Sequence, residues 1–238
     1  MTDALFRADA YLQDASGVVA SHTPEGGIVL DATLFYPTGG GQPGDSGRLE
    51  WAGGALNIAT TLKGEDEAII LVPSEPSPLP AIGTHVVQRL DWVRRHRHMR
   101  VHTALHLLSV VIPLPVTGGS IGAEKGRLDF AMDEPPQGTS ALEIALNDLI
   151  EKDFQVTDTW ITDAELLADP SLVKTLSVKP PMGQGHVRLV RIGDALTQID
   201  LQPCGGTHVA RTSEVGRIRI GKIEKKGRMN RRVTLHLD

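Results

Sequence analysis

The 238-residue chain contains a single cysteine, Cys204. One thiol excludes an intrachain disulfide, and with it the small disulfide-built secreted domain. Aromatic residues make up only 4%, so the core must be built mainly from Val, Ile, Leu and Ala. A row of rings stacked on bases is a poor candidate for holding nucleic acid. No stretch approaches the ~18 consecutive apolar residues of a membrane span. The opening "MTDALFRADAYLQDASG" carries early charges where a signal peptide has its apolar core, so the expected location is cytoplasmic. Excess positive charge is also missing. A net charge of −5 argues against a surface that coats nucleic acid uniformly.

The charge is unevenly spread. Arg217 to Arg232 holds eight Lys/Arg against one Glu, and "RRHRHMR" brings Arg94, Arg95, Arg97 and Arg100 together. Each run reads either as a solvated face or as a local set of phosphate contacts, which need only a patch.

The first ~90 residues read as β-rich. "GIVLDATLFYP" is strand-like, "TGGGQPGDSG" breaks it, and "RLEWAGG", "LNIATTL", "AIILV" and "HVVQRLDW" follow as short strands. From Trp92 the period becomes helical. Val101, Leu105, Leu108 and Ile112 form one apolar stripe that Pro113 ends. "TSALEIALNDLIEKDF" predicts a second amphipathic helix capped by Thr139 or Ser140, with Leu142, Ala145, Leu149 and Phe154 among its apolar positions. "HVRLVRIG", "TQIDLQ", "RIRIGKIE" and "RRVTLHL" alternate as strands. The expectation is an α+β protein in two domains: a β-barrel-like module over residues 1–90, then a layered α/β domain over 91–238.

"HTALH" places His102 and His106 four positions apart, on one face of the predicted helix. "PCGGTH" places Cys204 and His208 across a turn that Gly205 and Gly206 make flexible. Either half alone is equally at home as ordinary helix imidazoles or as a small cysteine in a turn. Together they make a nitrogen and sulfur donor set suited to Zn²⁺. His96 and His98 fall in the basic run and are expected to be exposed. His22, His85, His186 and His236 have no ligand-like spacing.

Several chemistries are excluded. The residue after His102 is Thr103, so the H-E-x-x-H base of a zinc protease is missing. The H-x-E and P-C-x-x-C pair of a zinc deaminase is absent. No Lys-Ser/Thr follows the glycines of "GGGQPGD" as a P-loop would require.

"HTALHLL" with "CGGTH" resembles the editing domain of alanyl-tRNA synthetases and its free-standing AlaX-type relatives. "DATLFYPTGGGQPGDSG", "DWVRRHRHMRVHTALHLL", "GGS", "RLDF", "VRLVRIG" and "GRMNRRV" follow in the family's order, so the similarity runs over roughly residues 25 to 238. The resemblance is to the medium-length class that keeps a glycine-rich module. It implies a zinc-containing editing domain that hydrolyses the aminoacyl ester of mischarged tRNA(Ala) in trans, Ser-tRNA(Ala) first and Gly-tRNA(Ala) second. It implies His102, His106, Cys204 and His208 as zinc ligands and Thr103 as part of the pocket. Gly39, Gly40, Gly41 and Asp45 match the glycine-rich motif, and Arg94, Arg228 and Arg231 are the arginines expected to meet tRNA. "VTGGS" and Pro203 depart from the family's usual residues, which bears on substrate preference.

A pocket shaped for alanine rejects the serine hydroxyl by only ~10²-fold, which is why a second, hydrolytic site is useful. Thr103 is the expected reader of that hydroxyl. Four protein ligands close a tetrahedral zinc, whereas a catalytic zinc keeps an open position. The alternatives are a five-coordinate ion, a loose ligand, or an ion that only orients substrate. A zinc-stabilised RNA-binding module without catalysis and a metallohydrolase of small esters are the rival readings.

Overall fold

A computed structural model describes residues 2–135, 138–175 and 185–238. By contacts the chain divides into Met1–His96 and Arg97–Asp238.

In the first unit β1 (Asp3–Ala4) pairs in parallel with β4 (Ala32–Thr33). β2 (Asp14–His22), β3 (Ile28–Leu30), β5 (Gly47–Trp51), β6 (Gly54–Lys63), β7 (Ile69–Pro73) and β8 (His85–Leu90) close a barrel in the order β2-β3-β7-β6-β5-β8. Closure leaves no unpaired edge. Val19, Ile28, Leu30, Leu49, Ile58, Leu71 and Val86 fill it, alongside Leu34, Phe35 and Tyr36 from the segment after β4. Aliphatic side chains therefore dominate this core, as the low aromatic content requires.

The glycine-rich turn rises from this wall. Gly39 and Gln42 exchange backbone hydrogen bonds of 3.0 and 2.9 Å around Gly40 and Gly41, whose φ of 57° and 83° suits glycine. Asp45 closes the turn from below: its Oδ2 accepts from the Tyr36 N–H at 2.6 Å and from Arg95 Nε at 2.8 Å. The Arg95 guanidinium also donates to the carbonyls of Ala10 and Leu34. Asp45 and Arg95 are 2% and 1% exposed, so this is a fully desolvated ion pair.

Helix α1 (Trp92–Val111) starts where Asp91 Oδ1 accepts from the Arg94 N–H at 3.1 Å, an N-cap bond, and the unit boundary falls within it. In the second unit it is followed by β9 (Val116–Ile121), β10 (Lys125–Ala131), α2 (Ser140–Glu151), β11 (Val156–Thr162), α3 (Asp163–Ala168), β12 (His186–Gly193), β13 (Gln198–Pro203), β14 (Ile218–Gly227) and β15 (Asn230–Leu237). They form a four-stranded sheet β14-β15-β10-β9 and a three-stranded sheet β11-β12-β13. The exposed edge of β14 is capped by α2: Glu143 Oε2 accepts from the Ile220 N–H, and Asn147 bonds both backbone groups of Ile218. Thr139 sits at the N-cap of α2, but its side chain makes no cap bond.

The single apolar stripe expected on α1 is replaced by burial on every side from Val101 to Ser109. On one side Gly126 of β10 lets the helix approach closely, since a Cβ there would lie 2.5 Å from Val101 Cγ1. On the other, Thr103, His106 and Ser109 meet β13 and the turn that follows it. The expected exposure of His98 is corrected for the same reason. It belongs to this enclosed helix and is 2% exposed, while His96 is half-buried against Trp92. Among the described residues no helix is long and apolar enough to cross a membrane.

Candidate metal centre

One helical turn separates His102 from His106, so both rings leave α1 on the same side, with centroids 5.2 Å apart. β13 ends at Pro203, and the chain turns through Cys204, Gly205 and Gly206 to reach His208. Arg188 of β12 fixes that turn by donating to the carbonyls of Cys204 and Gly206 at 3.0 and 2.9 Å, while its Nε bonds Asp158. The turn brings Cys204 Sγ to 3.4 Å from His102 Nε2 and 3.3 Å from His208 Nε2. One donor atom from each of His102, His106, Cys204 and His208 lies within 4.8 Å of all the others.

These donors fit a metal ion. Ligand bonds of 2.0–2.3 Å imply tetrahedral S–N edges of about 3.5 Å, close to the sulfur-to-imidazole spacings here. The rings of His208 and His106 are also held from behind, as metal-binding imidazoles are. The Nδ1 of His208 lies 3.1 Å from Thr103 Oγ1, and that oxygen accepts from the Val209 N–H at 3.3 Å. His106 Nδ1–H donates to Asp200 Oδ2 at 2.9 Å. In both rings this leaves Nε2 to face the cluster.

The charges agree. Burial opposes ionisation of Cys204, yet the neighbouring His102 and His208 hold its thiol well below the usual value. Burial and the charge of His102 push His208 well down. Thiolate and neutral imidazole are the forms that bind metals. Burial disfavours the His106 imidazolium, but Asp200 and Cys204 outweigh it and raise this group to about 9. Asp200 is pushed up by burial and pulled down further by His106 and Lys174, to about 2.

The other expected site residues separate into two kinds. Thr103 has no exposed surface, and its oxygen is engaged with His208 and Val209, so it lies behind a member of the cluster. Asp45 faces inward to Arg95 rather than outward from the glycine-rich turn. Arg231 is 7% exposed and donates to the carbonyls of Gly227, Arg228, Asn230 and Asp133. These bonds lock the β14–β15 hairpin. Arg94 donates to Gly44 O and Ser46 Oγ at 2.8 and 3.3 Å. Gly40, Gly41 and Arg228 are exposed, and Gly39 is half-buried.

The sequence reading missed Asp200, Lys174, Gln202 and Arg188. The signal lay in β13, "QIDLQP", where alternation sets Asp200 and Gln202 on the face opposite Ile199 and Leu201. The polar face is the buried one.

Comparison with known families agrees with this geometry. Residues 187–234 match the threonyl and alanyl tRNA synthetase second additional domain, and residues 9–94 match the class II (A) tRNA synthetases. The alanyl-tRNA editing protein AlaX-M of Methanosarcina barkeri is 34% identical over 242 residues, 98% of each chain. AlaX-M of Pyrococcus horikoshii is 31% identical over all of this chain and 99% of its own. An alanine--tRNA ligase of Pyrobaculum calidifontis is 32% identical over 94% of this chain but only 25% of the ligase. With identity of this order running from end to end of relatives of matching length, the chain belongs to the alanyl-tRNA editing protein family, among its AlaX-M members.

Proposed function

We propose that this protein hydrolyses the ester of tRNA(Ala) carrying the wrong amino acid, serine first and glycine second, acting in trans in the cytoplasm with Zn²⁺. Residues 91–238 form the layered deacylase domain, and residues 1–90 form the module carrying the glycine-rich turn. The observation that carries this reading is the His102, His106, Cys204 and His208 cluster, found in a chain akin along its length to proteins named for editing alanyl-tRNA.

A bound Zn²⁺ supplies Lewis-acid polarisation of an ester carbonyl. The chain's residues provide the setting. His102, His106, Cys204 and His208 hold the ion, and Thr103 sets the ring of His208 without touching substrate. Gly40 and Gly41 expose bare backbone on the barrel module for contact with the tRNA. Lys222, Lys225 and Arg228 on the outer part of the β14–β15 hairpin are exposed and meet phosphates.

The test is deacylation of Ser-, Gly- and Ala-tRNA(Ala) before and after chelation. The mischarged esters should be cleaved, Ala-tRNA(Ala) should be spared, and chelation should abolish activity until Zn²⁺ is returned. Binding of tRNA with no deacylation, indifferent to chelator, would identify an RNA-binding module whose zinc is structural. The hairpin gives a separate test. Arg228→Ala and Lys225→Ala should each lower the slope of log affinity against log salt by about 1, with turnover of bound substrate unchanged.

A further inference from the structure

Asp200 sits 2% exposed on the inward face of β13, where an aliphatic side chain would be the ordinary choice. An unpaired carboxylate there would be strongly destabilising. It is instead surrounded by donors. His106 Nδ1–H meets Oδ2 at 2.9 Å, and Gln202 Nε2 meets the same oxygen at 2.7 Å. Lys174 Nζ meets Oδ1 at 2.5 Å. Lys174 is itself anchored, since its carbonyl accepts from the Val116 N–H and Thr175 bridges Val116 on β9. Gln202 Nε2 also reaches Ser109 Oγ at 3.3 Å, and Ser109 Oγ donates to the His106 carbonyl at 2.7 Å. Three elements thus converge on one face of one imidazole.

We propose that Asp200, braced by Lys174 and Gln202, is a positioning residue for the metal centre: it keeps the proton of His106 on Nδ1 and so reserves Nε2 for the ion. The argument rests on the four-residue cluster being a metal centre. A neutral imidazole carries one proton, and a ring whose Nδ1–H is held by a carboxylate has only Nε2 left as a ligand. Gln202 Nε2 also lies 3.2 Å from His106 Nδ1. Because that NH2 group can only donate, in this orientation it favours the opposite tautomer. The carboxylate decides between the two arrangements, and the Lys174 ammonium holds it in place. Lys174 is on neither ligand-bearing segment, so a residue from a third stretch of chain governs the grip of the centre.

The experiment compares wild type with Asp200→Ala, Asp200→Asn and Lys174→Met. Zn²⁺ affinity is measured by competition with a chromogenic chelator, and the His106 tautomer is read from ¹⁵N spectra of the Zn²⁺-loaded proteins. Asp200→Ala should weaken Zn²⁺ binding ~10–100-fold, the usual cost of losing such a partner, and should lose the protected Nδ1–H signal. Asp200→Asn keeps an accepting oxygen and should retain that signal with a smaller loss of affinity. Lys174→Met should weaken binding less than Asp200→Ala. A folded Asp200→Ala protein with wild-type affinity and an unchanged His106 signal overturns the proposal. If that variant does not fold, wild-type affinity in both Asp200→Asn and Lys174→Met overturns it. Wild type that takes up no Zn²⁺ overturns the metal centre itself. Wild type that binds Zn²⁺ while Asp200→Ala binds equally overturns only the role of Asp200.

Discussion

Replacing Cys204 by alanine should strip the protein of zinc and lower kcat/KM for Ser-tRNA(Ala) deacylation by more than the ~10–100-fold that follows loss of a mere partner of a ligand. The thiolate is the one negative donor in the set, and its sulfur lies within 3.4 Å of two ring nitrogens. Removing it leaves three imidazoles crowded at centroid separations of 4.1–5.2 Å, with only Asp200 behind His106 to oppose their charge. The fold should survive, because Cys204 is only half-buried and Arg188 holds the turn through backbone carbonyls that the substitution does not touch. Metal content by elemental analysis, single-turnover deacylation and a thermal melt check the three parts. Full deacylation in a metal-free Cys204→Ala protein would refute the zinc-dependent reading.

The second large effect is expected in the barrel unit. Arg95→Met should destabilise the protein by about 3–5 kcal/mol, because it leaves a buried carboxylate without its counter-charge. In a protein of this size that corresponds to a melting temperature lower by on the order of 10 °C. Asp45 would keep only the Tyr36 N–H, and its second oxygen, Oδ1, already lacks a hydrogen-bond partner. The paired change Asp45→Asn with Arg95→Met should recover much of the loss, since removing both charges is far less harmful than stranding one. Urea denaturation of the two single variants and the double variant gives the coupling. A shift under 1 kcal/mol for Arg95→Met would show that the turn does not depend on this pair.

How much of this could be read beforehand followed from how local each signal is. The strands after Gly27 announced themselves through Val, Ile and Leu between turn residues, and Pro113 marked the end of α1 to within two residues. The His/Cys cluster was readable because each half is compact, two imidazoles one turn apart and a thiol beside a histidine across glycines. β2 was missed because "DASGVV" offers little β-branched character, and β9 because Gly118 and Gly119 interrupt "VTGGSI". The partners of the cluster were hidden for another reason. Alternation in "QIDLQP" has no sign of its own, and apolar residues are assumed to face inward. Here Leu201 is half-buried while Asp200 and Gln202 are buried, because His106 supplies a polar partner from 94 positions away. Arg95 looked like any member of a basic run until Asp45, 50 positions earlier, met it.

If the cluster holds an ion as proposed, the span between its two halves has a consequence for how the molecule comes into being. Cys204 and His102 are 102 positions apart, so a ribosome-bound chain holds half of a binding site until His208 emerges. Once both ends grip the same cation, it acts as a tether closing a loop of about a hundred residues. Because the unfolded chain has no such site, an ion bound by the folded one stabilises by mass action, about 4 kcal/mol at a free concentration a thousand times its Kd. Loading should therefore slow proteolysis throughout the second unit, far from the ion itself.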